Sequence, residues 1–179
     1  MNASNISDYR TQASGALYVA PSGTTLPTDA STALPSAFKQ LGYAAKDGLT
    51  IKENRNEVQW DTWEADDVVR VSDSHTVDVT FKLCEPFQAD AAKLMFGSAN
   101  VTVSSNAVTK IDIKGTELDE CVLVAEMLMR DGTSKLRAVI GRFKPSEIGE
   151  FKFQRGEMLA PEVKGAALGG GAKVSYYFA

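Results

Sequence analysis

Cysteine and histidine are scarce in this 179-residue sequence, which has two cysteines, Cys84 and Cys121, and one histidine, His75. Two cysteines are too few for a disulfide framework, and with a single histidine they lack the spacing of a zinc site. A Ser–His–Asp or Cys–His catalytic group would have to use His75, which begins an alternating segment and is expected on the surface of a strand. The sequence therefore predicts no catalytic residue, no metal site, no cofactor and no enzymatic activity.

Long apolar runs and phosphate-binding motifs are also missing. No segment approaches the roughly 18 apolar residues that a membrane-spanning helix needs, and the polar segment 1–15 does not resemble a secretory signal. The glycines at 169–171 precede Lys173 without the spacing of a phosphate-binding loop, so they are interpreted as a linker. With 44% hydrophobic and 23% charged residues, the composition is that of one globular domain with appended arms.

Negative charge is concentrated in residues 53–90, which contain ten acidic residues against three basic ones. Tight nucleic-acid binding needs the opposite pattern, because clustered Lys and Arg release counterions from phosphates. A surface built from this segment would repel DNA. The acids of residues 61–67 lack the spacing of a calcium-binding loop and are interpreted as a solvated loop.

Alternation of apolar and polar residues, which indicates half-buried β-strands, dominates the sequence. Residues 76–84 place four apolar side chains on one face: Val77, Val79, Phe81 and Leu83. Residues 121–130 and 135–143 flank Asp131 and Gly132, a strong tight-turn signal, and are predicted to pair as a long hairpin. Shorter strands are predicted at 16–20, 49–53, 68–72, 101–104, 110–114, 151–155 and 174–178.

One helix is predicted at about 86–96. Apolar residues recur there at helical spacing, at Phe87, Ala91, Leu94 and Met95. Pro86 suits a first helical turn and Gly97 a helix end. About ten strands with one helix predict a mainly β fold, namely a β-sandwich or barrel with one flanking α-helix, an extended loop and terminal arms.

Three segments lack the pattern of a core. Residues 1–15 are rich in Asn, Ser and Thr and are predicted to form an N-terminal arm. Residues 54–67 are predicted to form an acidic loop that carries both tryptophans, Trp60 and Trp63. Residues 160–179 are predicted to form a C-terminal arm, with an Ala- and Gly-rich flexible tether at 160–173 and an aromatic strand at its end. Residues 16–159 are the predicted sandwich domain.

The two tryptophans are the most informative residues of the predicted loop. Large exposed aromatic residues are unusual in monomers, and tryptophan is enriched in the hot spots of interfaces. Either both side chains pack back against their own domain, or the loop is an assembly arm whose aromatic residues are buried in the next subunit.

Five short motifs occur in an order that is similar to a known family. They are ALYVAPSGTTLP at 16–27, FKQLGY at 38–43 with DGLT at 47–50, Trp60 with VVR at 68–70, the strand at 77–83 leading into Glu85, and a helix that ends at Phe96 and Gly97. In this order and spacing, residues 16–97 resemble the major tail tube proteins of long-tailed, non-contractile phages.

The resemblance implies a structural virion protein of the tail. Six copies would form a ring whose inner strands join into one wall around a lumen, and stacked rings would form the channel for DNA delivery. The implied partners are other copies of the chain, the tape measure protein, and the tail terminator and tail-tip proteins, with transient non-specific passage of DNA and no membrane. Assembly is expected in the cytoplasm of the bacterial host.

Site residues follow from the resemblance as hypotheses. The ring-to-ring contact candidates are Trp60, Trp63, Glu64, Asp66 and Asp67, and the lumen-facing candidates are Asp78 and Glu126. Negative charge in the lumen would repel phosphate and keep DNA moving. Two alternatives stay open: another virion or secretion-tube ring protein, such as a tail terminator or a decoration protein, and a carbohydrate-binding β-sandwich that stacks sugars on the two tryptophans.

Overall fold

The structure is a computed structural model that describes residues 9–11, 16–60, 63, 69–129 and 131–179. Strands make up 52% and helix 7% of the described residues, which confirms a mainly β fold consistent with a sandwich that carries one α-helix. The strands are β1 (Tyr9–Thr11), β2 (Leu17–Pro21), β3 (Lys39–Gln40), β4 (Ala44–Trp60), β5 (Val69–Leu83), β6 (Val101–Ser104), β7 (Ala107–Ile111), β8 (Cys121–Met129), β9 (Lys135–Ile148), β10 (Glu162–Ala167) and β11 (Ser175–Phe178), and the helix α1 is Ala89–Phe96.

Nine strands form one antiparallel sheet in the order β3-β2-β8-β9-β10-β5-β4. β2 pairs with the first part of β8 and β1 with its last three residues. β11 pairs with the first part of β9 and β10 with its last part. Over the described residues the sheet does not close on itself, and β3 and β4 are its outer strands. β6 and β7 form a separate hairpin, which turns at Ser105 and Asn106, both at positive φ. Because this turn is tight, β7 starts three residues earlier than predicted.

One face of the sheet carries the main core. The apolar residues of β5 are buried there as predicted, and neighbouring strands and α1 add further members: Leu17, Leu123, Ile140, Phe143, Val163, Ala91, Leu94 and Met95. Each large side chain that is fully buried contributes about 1.5–3 kcal/mol. This layer of sheet and helix therefore supplies most of the apolar burial that holds the domain together.

The opposite face of the sheet is apolar only where β2, β8 and β9 lie. Val122, Val124 and Val139 are buried there, together with Phe38 from the segment that follows β2. β8 and β9 are thus buried on both faces, which accounts for apolar residues at both parities of 121–125. Over β10, β5 and β4 this face carries mainly polar side chains, and we call that part the polar face: Thr50, Lys52, Asn54, Thr76, Asp78, Thr80, Lys82, Lys144, Glu147, Glu162 and Lys164.

The predicted helix is present but starts later than expected. Gln88 caps it, because its side-chain oxygen accepts hydrogen bonds from the N–H groups of Asp90 (3.1 Å) and Ala91 (2.9 Å). Gln88 is itself extended, so Pro86 lies in a turn before the helix. Gly97, at φ +84°, ends the helix at the predicted place. Across the described ranges, no helix has the length and apolar character required to cross a membrane.

The predicted acidic loop at 54–67 is strand over its first half. β4 continues to Trp60, and β5 runs from Val69 to Leu83, so the strands predicted at 49–53, 68–72 and 76–84 belong to one long hairpin. Residues 55–60 and 71–73 are all exposed. A strand that is exposed on both faces has no apolar period to reveal it. Glu64, Asp66 and Asp67 lie outside the described residues.

The prediction of a flexible tether at 160–173 is wrong for residues 162–167. These residues form β10, which pairs with both β9 and β5 within the sheet. The small size of Gly165 is a packing requirement, because a Cβ on this residue would lie 2.4 Å from the Lys144 carbonyl oxygen and 2.5 Å from the Phe143 ring. The last strand, β11, docks on β9 of its own chain, where the Lys135 N–H donates to the Ala179 carbonyl oxygen.

The strand predicted at 151–155 is an irregular segment. It lies in the connection between β9 and β10, where Phe151 packs against Phe96 and Phe87 with ring centroids 5.4 and 6.2 Å apart. Phe153, on the same segment, is exposed. The alternation of these two aromatic residues therefore reflects one anchored and one exposed side chain on a loop.

Candidate assembly surfaces

The distal part of the β4–β5 hairpin has no other strand beside it. β10 pairs with β5 only between Lys82 and Val77, so residues 69–76 of β5 pair with β4 alone. We call residues 54–60 and 69–76 the ribbon. Within the described ranges, neither of its edges pairs with a further strand. Because a two-stranded ribbon without further neighbours is marginally stable in water, this element gains little stability from the described part of its own domain.

The base of the ribbon is held by polar contacts. The Glu53 carboxylate lies 2.6 Å from Arg55 Nη2 and 2.8 Å from His75 Nε2, and hydrogen bonding from Arg55 holds the pKa of Glu53 below its ordinary value. On the other side, Asn54 Nδ2 donates to Asp78 Oδ2 at 2.7 Å. Exposed contacts of this kind add little stability. The ribbon therefore has local order without a core.

The tip of the ribbon exposes apolar side chains. Val58 pairs directly with Val71, and both are exposed. Trp60, two residues further along β4, shares the face of Val58 and is 64% exposed, and Trp63 is 100% exposed. Neither tryptophan packs back against its own domain in the way that the first sequence interpretation allowed. Two of the five ring-to-ring contact candidates, Trp60 and Trp63, are thus exposed side chains.

The outer edge of β4 is the longest open edge of the sheet. β4 has 17 residues and only β5 as a neighbour in the described part of the chain. The opposite edge of the sheet is formed by β3, a strand of two residues, beside β2. An open edge presents unpaired N–H and C=O groups that can pair with another chain. The chain therefore has two open sheet edges to which a strand of another chain could add.

Asp78 lies in the middle of the polar face. It is exposed on β5, between its cross-strand neighbours Lys52 of β4 and Ala166 of β10. Three of the four lysines on this face are in ion pairs, namely Lys82 with Asp47, Lys144 with Glu117, and Lys164 with Glu147 and Glu162. Hydrogen bonds to these carboxylates raise the pKa of the three lysines. The face is thus mixed in charge, and most of its cations are already paired.

Glu126 is on the same side of the sheet as Asp78 but in different surroundings. It is half-buried on β8 and accepts a hydrogen bond from Arg137 Nε at 2.9 Å. The Arg137 side chain is only 4% exposed and also donates to the carbonyl oxygens of Asp29 (2.6 Å) and Thr32 (2.7 Å). This ion pair ties the segment after β2 to the sheet. The sequence signal for it was a lone arginine in the apolar stretch 136–140, opposite the only acid of β8.

A second exposed apolar group lies at the other end of the hairpin. The connection 149–161 joins the end of β9 to the start of β10, beside the end of β5, as the hydrogen bond from the Leu83 N–H to the Pro161 carbonyl oxygen shows. Phe153 is 77% exposed on this connection, and Met158 is exposed beside it in sequence. Phe87 and Tyr43 add exposed rings near the same end, where β4 begins and β5 ends.

The described residues hold no arrangement suited to catalysis. Burial raises the pKa of Cys121 to about 12, and burial also raises the pKa of Cys84, so neither thiol is a ready nucleophile. His75 pairs with Glu53 on the ribbon. Over the ranges that the structure describes, no group of three or more His, Cys, Asp or Glu could hold a metal ion.

Comparison with known proteins adds one strong match. A family model described as phage tail tube protein matches residues 2–178, which is nearly the entire chain. No curated protein matches the sequence. The family model thus also covers the C-terminal half of the chain, where the sequence analysis found no motif of the family.

Proposed function

The chain belongs to the phage tail tube protein family, and we propose that its copies polymerise as stacked hexameric rings that form the channel for DNA delivery. The family is structural and not enzymatic, and its members are virion proteins of the tail that assemble into a tube and contact other tail proteins. The ring of six and the long, non-contractile tail are taken from the resemblance of residues 16–97.

The open sheet is the observation that supports this proposal most. A single subunit leaves the outer side of the 17-residue strand β4 unpaired. In a closed ring, β4 of each copy would lie beside the short β3–β2 edge of its neighbour, so that part of the β4 edge would be paired. Ring closure would therefore shorten the open edge that the monomer exposes to water.

Stacking of the rings is assigned to the ribbon. Its exposed apolar tip, with Trp60 and Trp63, would be buried against the next ring, where large aromatic side chains contribute most of the binding energy. The acidic residues Glu64, Asp66 and Asp67, which lie outside the described residues, are also proposed as contact candidates, because they fall between β4 and β5 in the sequence. The N-terminal arm, residues 1–15, is proposed to add further contacts between rings, although its residues Tyr9–Thr11 pair with β8 of their own chain.

The polar face is proposed to line the lumen, with Asp78 as the lumen-facing residue. Its lysines are mostly held by carboxylates, so DNA phosphates would find few free cations to bind. Weak binding suits a channel, because every lasting contact would slow the passage of DNA. Glu126 supports this role poorly, since its carboxylate is engaged by Arg137 beneath the segment after β2.

The remaining partners follow from the position of a tube in the tail. The tape measure protein is proposed to fill the lumen before DNA does, and the terminator and tail-tip proteins to close the two ends of the tube. Assembly is proposed to take place in the cytoplasm of the bacterial host.

Electron microscopy of the purified chain tests the proposal. We expect hollow tubes with a regular axial repeat and sixfold end views. Single closed rings that never stack would favour a terminator or a decoration protein. A stable monomer that binds sugars saturably, with loss of binding in Trp60→Ala, would favour the carbohydrate-binding alternative.

A further inference from the structure

The β4–β5 hairpin connects two exposed apolar groups that lie at opposite ends of the sheet. The first is the ribbon tip, with Val58, Trp60, Trp63 and Val71. The second, which we call the far-end surface, consists of Tyr43, Phe87, Phe153, Arg155 and Met158, all of them exposed. The hairpin pairs Trp60 with Val69 at one end and Ala44 with Leu83 at the other. At about 3.3 Å per residue, the two groups are separated by roughly 50 Å along the strands.

Rings that stack in one direction bring unlike ends together. If the β4–β5 hairpin runs along the tube axis, translation of a subunit by one ring brings the ribbon tip of one copy towards the far-end surface of a copy in the next ring. A contact between different patches of identical chains is heterologous, and it repeats without closing, as tube growth requires. One apolar group can therefore dock on the other in the next ring. We call the surface that receives the ribbon tip the acceptor.

The two ends differ in charge. Residues 57–70 of the sequence, which run from β4 into β5, contain five acidic residues and one arginine. On the far-end surface, residues 151–155 contain Lys152 and Arg155 and no acid, with Glu150 and Glu157 on either side. Glu157 lies 3.7 Å from Lys152, which leaves Arg155 without an ion-pair partner among the described residues. The connection 149–161 therefore has no net charge, and Arg155 is the cation of the far-end surface that an acidic residue of another copy could pair with.

We propose that the ribbon tip of each subunit docks on the far-end surface of a second copy in the adjacent ring, with Trp60 and Trp63 against Phe153, Met158 and Arg155. Aromatic rings pack favourably on Phe and Met side chains, and an arginine placed over an indole gains a cation–π interaction. This inference rests on the stacking of rings under the proposed function and identifies the acceptor of that contact.

A matched pair of phenylalanines tests the acceptor. Phe153 and Phe178 are exposed to a similar degree, 77% and 70%, but Phe178 is on β11 at the other end of β9. Phe153→Ser is expected to raise the critical concentration for tube growth, followed by light scattering, at least tenfold. Phe178→Ser is expected to change it less than twofold, and both variants should melt as the unsubstituted chain does. Equal tube growth by Phe153→Ser and the unsubstituted chain would overturn the proposal.

Crosslinking between chains tests the contact directly. Glu57→Cys and Gln154→Cys place thiols beside the two surfaces without removing a side chain of the proposed contact. When the two variants are mixed, grown into tubes and treated with a flexible bismaleimide, we expect a crosslinked dimer. A mixture of Glu57→Cys with Ala107→Cys, in the separate β6–β7 hairpin, is expected to give only the background of the unsubstituted chain.

The two proposals fail in different ways. Normal tubes in which the Glu57→Cys and Gln154→Cys mixture gives no more dimer than the control mixture would overturn the acceptor and leave the tube intact. An unsubstituted chain that forms no tubes would overturn the proposed function, and the acceptor with it.

Discussion

Two long antiparallel hairpins of this molecule differ in what surrounds them. In the β8–β9 hairpin, residues 121–125 and 136–140 are buried on both faces. In the ribbon of the β4–β5 hairpin, residues 55–60 and 71–73 are exposed on both faces. The backbone pairing is of the same kind, so the difference lies in the side chains. One hairpin is stabilised by its own domain, whereas the described part of the chain leaves the other hairpin exposed.

The charged residues of the two hairpins follow the same division. In β8–β9 the pair of Glu126 and Arg137 is buried and bonded to the backbone of another segment. In the ribbon the contacts among Glu53, Arg55 and His75 are exposed. Buried pairs are costly to break, because the remaining charge stays without a partner, whereas exposed pairs contribute little.

The largest expected effect comes from Arg137→Met. Removal of the guanidinium leaves the half-buried Glu126 carboxylate and two backbone carbonyl groups without their donor, so the free energy of unfolding should fall by about 3–5 kcal/mol. Urea denaturation of the monomer measures it. The matched variant Arg55→Met, on the ribbon, is expected to leave the urea midpoint nearly unchanged. Equal midpoints for both variants would mean that the buried pair does not hold the fold.

A smaller loss is expected from Gly165→Ala on β10. The new methyl group would collide with the Lys144 carbonyl oxygen and the Phe143 ring, and overpacking of this kind costs about 1–3 kcal/mol. Gly170→Ala, which meets nothing within 4 Å, serves as the control and should be neutral or slightly stabilising. Thermal unfolding compares the two. Identical melting temperatures of both variants would show that residues 162–167 do not pack in the sheet and form a flexible tether.

A still smaller effect concerns the turn of the β8–β9 hairpin. Hydrogen bonds from the Ser134 side chain and from the Thr133 and Ser134 N–H groups lower the pKa of Asp131 from 3.8 to about 2. Since this pKa is lower in the folded state, the stabilisation is complete above about pH 4 and is lost as the pH falls towards 2. Unfolding by urea across this range should therefore depend less on pH in Asp131→Asn than in the unsubstituted chain.

Asp29 has the same lowered pKa of about 2, because of hydrogen bonds from Thr32 and Ser31. The Asp131→Asn protein should thus keep part of the acid dependence. If the stability of Asp131→Asn depends on pH as strongly as that of the unsubstituted chain, the turn contacts of Asp131 do not form in solution.

The smallest effect on stability is expected at the ribbon tip. The double variant Trp60→Ser and Trp63→Ser removes only exposed side chains, so the free energy of unfolding of the monomer should change by less than about 0.5 kcal/mol. Tube growth, in contrast, should be abolished. Normal tubes from this variant would remove the tryptophans from the assembly contact, and a large loss of monomer stability would show that they pack on their own domain.

Alternation made much of the fold predictable. The buried face of β5, the β8–β9 pairing across Asp131 and Gly132, and the helix that ends at Gly97 all appear in the structure. These elements have one face or stripe in contact with a core, so their apolar period is visible in the sequence.

Elements without such a period were missed or misassigned. Glu162–Ala167 has the small residues of a linker, but Gly165 is small because Phe143 and Lys144 occupy the space of a side chain. The ribbon, exposed on both faces, has no apolar alternation until Val58 and Trp60. Arg137 depends on a contact with residues more than 100 positions away, and no local pattern reports such a distance.

Amide hydrogen exchange, measured in the monomer and in assembled tubes, tests most directly whether the open hairpin is the assembly element. We predict that β8 and β9 are protected in both states, and that protection of β4 and of the ribbon rises strongly when tubes form. Tubes in which the amides of β4 and the ribbon exchange as fast as in the monomer would contradict this account.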